Sequence, residues 1–121
     1  GISLKIISGD NPQTVAALAR QAGLDTEIRL VSGPELAIMN TAQFNQAAVS
    51  CNVFGRITPE QKANLVQTLR RQGHYVAMIG DGVNDVLSLK QANLGIAMES
   101  GSKATRGVAD IVLLQDSFAS L

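Results

Sequence analysis

Short apolar runs punctuate the chain near residues 4–7, 28–31, 53–55, 75–79, 94–98 and 111–114, and amphipathic stretches fill the gaps. That alternation constrains the fold more than any other feature. A strand buried on both faces reads as a continuous apolar run, and a helix that covers it reads with a period of 3.6. The pattern predicts βα units on a parallel sheet, an α/β architecture. Local signals mark the helix starts. Asn11-Pro12 supplies an N-cap and a proline at the first helical position. Val15, Leu18, Ala19 and Ala22 then share one face, and Gly23 closes the helix. Helical pieces are expected over 34–49, joined near Asn40. Thr58-Pro59-Glu60-Gln61 reads as a capping box opening a helix that turns Leu65, Val66 and Leu69 inward and ends at Gly73. Further helices are expected over 84–91 and 102–109.

Composition narrows the classes of function. The 121 residues suit one small domain, and aromatics are only 3%, so the core is built from aliphatic side chains. Ten basic and ten acidic residues cancel, which leaves no basic stripe for nucleic acid and no polybasic segment for anionic lipid. No apolar run reaches membrane-spanning length, so the piece is expected to be soluble. The single cysteine, Cys51, lies in the apolar run 47–54 and is expected to be a buried small hydrophobe. One Cys and one His make a zinc site improbable. The start runs almost straight into a strand, as in a chain cut from something longer.

In open parallel sheets, functional groups gather at the carboxyl ends of strands. Three polar clusters are expected there: Ser8-Gly9-Asp10, the segment from Arg56 to Lys62, and Gly80-Asp81-Gly82-Val83-Asn84-Asp85. A hydroxyl, a lysine and paired carboxylates suit a phosphate with a divalent metal. Ser8 and the Gly9 amide can donate to phosphate oxygens, and Lys62 adds a point charge. Asp81 is a hard oxygen ligand suited to Mg2+, which would offset carboxylate–phosphate repulsion. The last cluster also resembles a dinucleotide-binding GxGxxG loop but ends in Asp, and a carboxylate facing a pyrophosphate without a metal is unfavourable. Blander roles exist for each residue. Asp81 and Asp85 suit a turn and an N-cap, Ser8 a strand end, Asp10 the start of the first helix, and Lys62 and Arg56 a solvated surface.

Taken in order, Ser8-Gly9-Asp10, Arg56-Ile57-Thr58-Pro59-Glu60-Gln61-Lys62, Gly80-Asp81-Gly82-Val83-Asn84-Asp85 and Gly95-Ile96-Ala97-Met98 resemble the P-type cation-transporting ATPases of the haloacid dehalogenase superfamily. The resemblance implies a Rossmann-like three-layer fold. It implies that residues 1–121 are the later segment of the phosphorylation domain. It also assigns roles. Ser8, where the family usually has Thr, and Gly9 would bind the transferred phosphoryl group; Asp10 and Arg56 would serve the nucleotide. Lys62 would neutralise the phosphate, Asp81 would ligate Mg2+, Asn84 would touch the phosphoryl group, and Asp85 would orient Lys62 and the metal site. ATP would be the substrate, with cation transport through membrane helices that are absent here. The domain would lie on the cytoplasmic face of a membrane, the plasma membrane in a bacterium.

Two departures matter. The family usually has Pro where Leu87 stands, two residues after Asp85. The phosphorylated Asp of the family opens a DKTG motif, and no Asp in this sequence is followed by Lys-Thr-Gly. Covalent catalysis needs its nucleophile, so the chain alone is expected to be inactive. The sheet is expected to lack the nucleophile-bearing strand, leaving unpaired edges to be filled by the missing segment of the same protein, with its nucleotide-binding domain, or by strand exchange in a homo-oligomer. A stand-alone phosphatase of the superfamily and a non-catalytic phosphate- or Mg2+-binding module are the alternatives.

Overall fold

A computed structural model describes residues 3–21, 27–80, 85–98, 103, 107 and 111–113. The chain divides into two compact units, Gly1–Thr58 and Pro59–Leu121.

The first unit carries β1 (Ile6–Ile7), α1 (Pro12–Gln21), β2 (Leu30–Ser32), α2 (Gly33–Ala37), α3 (Thr41–Ser50) and β3 (Val53–Gly55). Its strands form a parallel sheet in the order β1-β3-β2, with Ile6 opposite Val53 and Val31 opposite Phe54. Central strand β3 is buried throughout, as a parallel strand covered on both faces must be. Val15, Ala16 and Ala19 of α1 pack on Val53, with Ile6 and Ile28 at the margin. The Leu18 side chain and Ala22 to Asp25 lie outside the described residues. Asn11 Oδ1 accepts from the Gln13 amide at 2.9 Å, so the N-cap and the proline together start α1.

The helical stretch expected over 34–49 is two helices that meet at Asn40. Asn40 and Gln43 cap α3 reciprocally: Asn40 Oδ1 accepts from Gln43 N, and Gln43 Oε1 accepts from Asn40 N. Asn40→Ala removes both the cap and its reciprocity. Thermal or urea unfolding is expected to show a loss of about 1 kcal/mol; no measurable change would mean that α3 needs no cap.

Cys51 corrects its expectation. It is half-buried rather than buried: it stands at the C-cap of α3, between that helix and the buried strand β3. Lys5 Nζ donates to the carbonyls of Val49 and Cys51 at 2.9 and 2.6 Å and closes that helix end. Burial pushes the Cys51 thiol above its ordinary 9.0, with Lys5 pulling it back, and burial pulls Lys5 below its ordinary 10.5. The folded state therefore holds the thiol proton more tightly than the unfolded chain. The stability this gives is present below pH 9.0 and is lost as pH rises through the higher folded value. Alkylation of Cys51 by iodoacetamide at pH 8 is expected to be slower in the folded chain than in urea. Equal rates would contradict the shift.

The second unit carries α4 (Pro59–Arg71), β4 (Ala77–Gly80), α5 (Val86–Gln91), β5 (Leu94–Met98) and β6 (Ile111–Leu113). Its strands are again parallel, in the order β4-β5-β6, with Ile79 opposite Ile96 and Ile96 opposite Ile111. Leu65 and Val66 of α4 are buried as expected, with Leu89 and Ile96, whereas Leu69 is only half-buried. After α4, Gly73 takes φ +91°, the left-handed value that glycine adopts freely. β4 starts at Ala77 rather than at Tyr75. Val76 N donates to the Asn93 side chain at 2.8 Å, and Val76 O accepts from the amides of Asn93 and Leu94, so residue 76 is held by the segment that opens β5. The helix expected over 102–109 falls mostly outside the described residues. Lys103, expected to be solvated, is exposed.

The expected parallel sheet is thus two three-stranded sheets. β1 is an edge of the first and runs into Ser8-Gly9-Asp10; β4 is an edge of the second and ends at Gly80.

Candidate functional site

In the first unit, two loops at the carboxyl ends of β1 and β3 are stitched together. Arg56 N donates to Asp10 O at 2.7 Å, and Ile57 N donates to Ser8 O at 3.0 Å. Ser8, Asp10 and Arg56 are therefore neighbours although 46 residues separate Asp10 from Arg56. Ser8 Oγ accepts from Asp10 N at 3.1 Å and shapes the turn; its own proton remains available to a ligand. A Cβ on Gly9 would lie 3.9 Å from Ile57 O, an ordinary contact, so glycine is not sterically required there. Arg56 is the one non-glycine residue with positive φ among the described residues, at +51°. Such a backbone costs on the order of 1–3 kcal/mol and persists only where its surroundings hold it. Here the hydrogen bond to Asp10 O does so, and the Arg56 side chain stands exposed.

Gly55 lets α1 approach the end of β3. A Cβ at that position would sit 2.5 Å from Pro12 Cα and 2.7 Å from Pro12 N. Sequence reasoning missed this role. The signal was a glycine ending an apolar strand directly before Arg56.

In the second unit, Lys62 comes from the first turns of α4 and Asp85 from the residue preceding α5. Lys62 Nζ donates to Asp85 Oδ1 at 2.7 Å, and the two side chains are only 10% and 11% exposed. Lys62 is thus not a solvated helix lysine. Asp85 occupies the N-cap position of α5 yet makes no side-chain cap hydrogen bond; its carboxylate goes to Lys62. Two neighbours fix Asp85. Fully buried Ser88 donates from Oγ to Asp85 O at 3.0 Å. Gly80 ends β4 so close that a Cβ there would lie 2.5 Å from Asp85 Cβ. Ser88 was also missed, and the Asp-x-x-Ser spacing was its only trace. Leu87, in place of the expected proline, is half-exposed on the first turn of α5, where a backbone N–H has no helical partner to lose. Asp81, Gly82 and Asn84 lie outside the described residues.

Mg2+ takes one or two carboxylates and fills its other positions with water or phosphate oxygens; of the two expected carboxylates, Asp85 is among the described residues and its Oδ1 faces Lys62. A cluster of three or more ligating side chains is not required, and none occurs among the described residues. No buried side-chain N or O among them lacks a hydrogen-bond partner.

The model of the haloacid dehalogenase-like hydrolases matches residues 1–93, more than half of the chain. The chain belongs to this family. Among curated relatives of this haloacid dehalogenase-like chain is the calcium-transporting ATPase CtpE of Mycolicibacterium smegmatis, 47% identical over 124 residues, covering 99% of the chain and 15% of the relative. The cation-transporting ATPase pma1 of Synechocystis sp. is 44% identical over 124 residues, covering 100% of the chain and 14% of the relative. The resemblance to cation-transporting ATPases is borne out, and the chain spans about one seventh of these relatives' length. A solved structure of the catalytic domain of the CPx-ATPase CopB-B superposes with a TM-score of 0.70 at 27% identity, over 95% of this chain and 36% of that one. The α/β fold with parallel strands is therefore that of a P-type ATPase catalytic domain. Among the described residues, no helix is long and apolar enough to cross a membrane.

Proposed function

We propose that residues 1–121 form part of the phosphorylation domain of an ATP-driven cation pump and bind Mg2+ with a phosphoryl group. The buried Lys62–Asp85 pair carries this reading. A buried ion pair is weak as a stabilising device, because desolvation offsets most of the attraction. A lysine held by a buried carboxylate is well suited to neutralise an anion.

In the first unit, Ser8 Oγ and the Gly9 amide donate to phosphoryl oxygens, while Asp10 and Arg56 serve the nucleotide. In the second, Lys62 offsets negative charge on the same class of oxygens and Asn84 donates to them. Asp85 orients Lys62 through its 2.7 Å hydrogen bond. Asp81 and Asp85 would hold Mg2+, which when bound supplies Lewis-acid polarisation of the phosphoryl group. The phosphoryl-accepting carboxylate lies outside this sequence, which has no Asp-Lys-Thr-Gly. Another segment of the parent protein would supply it, and β1 and β4, each at a sheet edge among the described residues, offer places where a further strand can add. The chain alone binds and does not turn over. In the parent protein the domain works on the cytoplasmic face of the membrane, and ATP hydrolysis drives cation transport there. The names of the relatives support this reading over a stand-alone phosphatase.

Calorimetric titration with orthovanadate tests it. Binding is expected only with Mg2+ present and is expected to weaken by about 10–100-fold in Asp81→Asn, as metal sites do when their carboxylate shell is altered. Unchanged binding in the variant would remove Asp81 from the metal site.

A further inference from the structure

Two asparagines occupy the same place in the two units. Asn52 follows Cys51, the C-cap of α3, and leads into β3; Asn93 follows Ala92, the C-cap of α5, and leads into β5. Each stands one position before the first paired residues of a parallel ladder, Leu30 with Val53 in one and Ala77 with Leu94 in the other. Each makes the same three hydrogen bonds to the residue opposite. Asn52 N and Val53 N donate to Arg29 O at 3.0 and 3.2 Å, and Asn52 Oδ1 accepts from Arg29 N at 2.8 Å. Asn93 N and Leu94 N donate to Val76 O at 2.9 and 3.1 Å, and Asn93 Oδ1 accepts from Val76 N at 2.8 Å.

The repetition has a physical cause. In a parallel ladder a residue bonds through its N–H and its C=O to different residues of the partner strand. At the first rung, the partner chain on the N–H side is still leaving a helix, because the residue before each asparagine is a helix C-cap. A side-chain carbonyl takes the place of the ladder carbonyl, and asparagine is short enough to present one to the residue opposite. The first rung is thereby fixed, and with it the register of every rung that follows.

In the second unit that register reaches the Lys62–Asp85 pair. It sets Gly80 opposite Ala97, where a Cβ on residue 80 would lie 2.5 Å from Asp85 Cβ. The residues on either side of Gly80 are Ile79 and Asp81, and both carry side chains. A slip of one residue would bring one of them to this point and turn the faces of β4 over, and Asp85 would have to move off Lys62.

We propose that Asn93 is a positioning residue for the Lys62–Asp85 pair: its side chain locks β4 in the register that sets Gly80 against Asp85. The consequence for phosphoryl binding rests on the reading of Lys62 under Proposed function; the lock itself does not.

Hydrogen exchange, lysine-side-chain nitrogen-15 NMR and orthovanadate titration of the wild-type chain, Asn93→Ala, Asn93→Asp and Asn52→Ala test it. In the wild type the Val76 amide is expected to exchange more slowly than the Tyr75 amide, although both precede β4. Asn93→Ala is expected to move the Lys62 Nζ signal of the ligand-free chain. It is also expected to weaken Mg2+-dependent orthovanadate binding by about two- to tenfold, the size of one neutral hydrogen bond. Asn93→Asp keeps an oxygen for the Val76 amide and is expected to restore both. Asn52→Ala removes the matching contact from the first unit; it is expected to lower stability in urea as Asn93→Ala does and to leave the Lys62 signal in place. A Lys62 signal unmoved in Asn93→Ala, or moved as far by Asn52→Ala, would overturn the proposal. So would a wild-type Val76 amide that exchanges as fast as that of Tyr75, a result that needs no variant to fold. A wild type that binds no orthovanadate, with the Lys62 signal still moved in Asn93→Ala alone, would remove the phosphoryl reading and leave the lock standing.

Discussion

Lys62→Ala is expected to destabilise the chain by about 3–5 kcal/mol, because it leaves the Asp85 carboxylate buried without its counter-charge. Urea denaturation with unchanged slope reads this loss directly. The same variant is expected to lose orthovanadate binding, but a destabilised protein could lose it for trivial reasons. The double variant Lys62→Met/Asp85→Leu separates the two effects. Replacing both charges by apolar groups of similar volume is close to neutral or even stabilising by about 1–4 kcal/mol. The double variant is therefore expected to fold at least nearly as well as the wild type and still not bind orthovanadate. If it folds and binds normally, the pair is structural and the phosphate role of Lys62 is wrong. If Lys62→Ala costs under about 1 kcal/mol, the pair behaves like an exposed one and the observed burial is not realised in solution.

The second large effect is expected at Gly55. Alanine there would place its methyl carbon 2.5 Å from Pro12 Cα, and the obstacle is main chain at the first turn of α1, which cannot rotate aside. Overpacking of this kind costs about 1–3 kcal/mol. Gly80→Ala meets Asp85 Cβ at 2.5 Å; that carbon is fixed by its own main chain, so relief requires shifting Asp85 and its carboxylate with it. The two variants are therefore expected to fail differently. Gly55→Ala lowers stability while leaving Lys62–Asp85 untouched. Gly80→Ala displaces Asp85, and so is expected to weaken orthovanadate binding more than its loss of stability explains. Equal and small effects at both positions would show that the backbone relaxes more than a packed interior normally permits.

Much of the fold was legible because its signals are local. Asn11-Pro12 and Asn40-x-x-Gln43 announce helix starts, and hydrogen bonds from their side chains or to them are present in the structure. Val53 to Gly55 is a strand, as its short apolar run predicts. The illegible parts depend on tertiary partners. β4 begins late because Asn93, 17 residues downstream of Val76, takes the amide that a ladder would use. Cys51 sits in an apolar run but follows a helix end, where hydropathy says little about burial. At the candidate site, residue types and their order pointed to Ser8, Arg56, Lys62 and Asp85. The contacts that position them did not show. Gly55 against Pro12, Gly80 against Asp85 and Ser88 on the Asp85 carbonyl each join elements whose closeness only folding creates.

The central claim is that Lys62, held by Asp85, meets a Mg2+-dependent phosphoryl group. Nitrogen-15 NMR of the lysine side chains during titration with Mg2+ and orthovanadate tests it most directly. The Lys62 Nζ signal is expected to shift when both are present and to stay fixed with either alone, while the other lysine signals hold still. A Lys62 signal unmoved at saturating Mg2+ and orthovanadate would contradict the account.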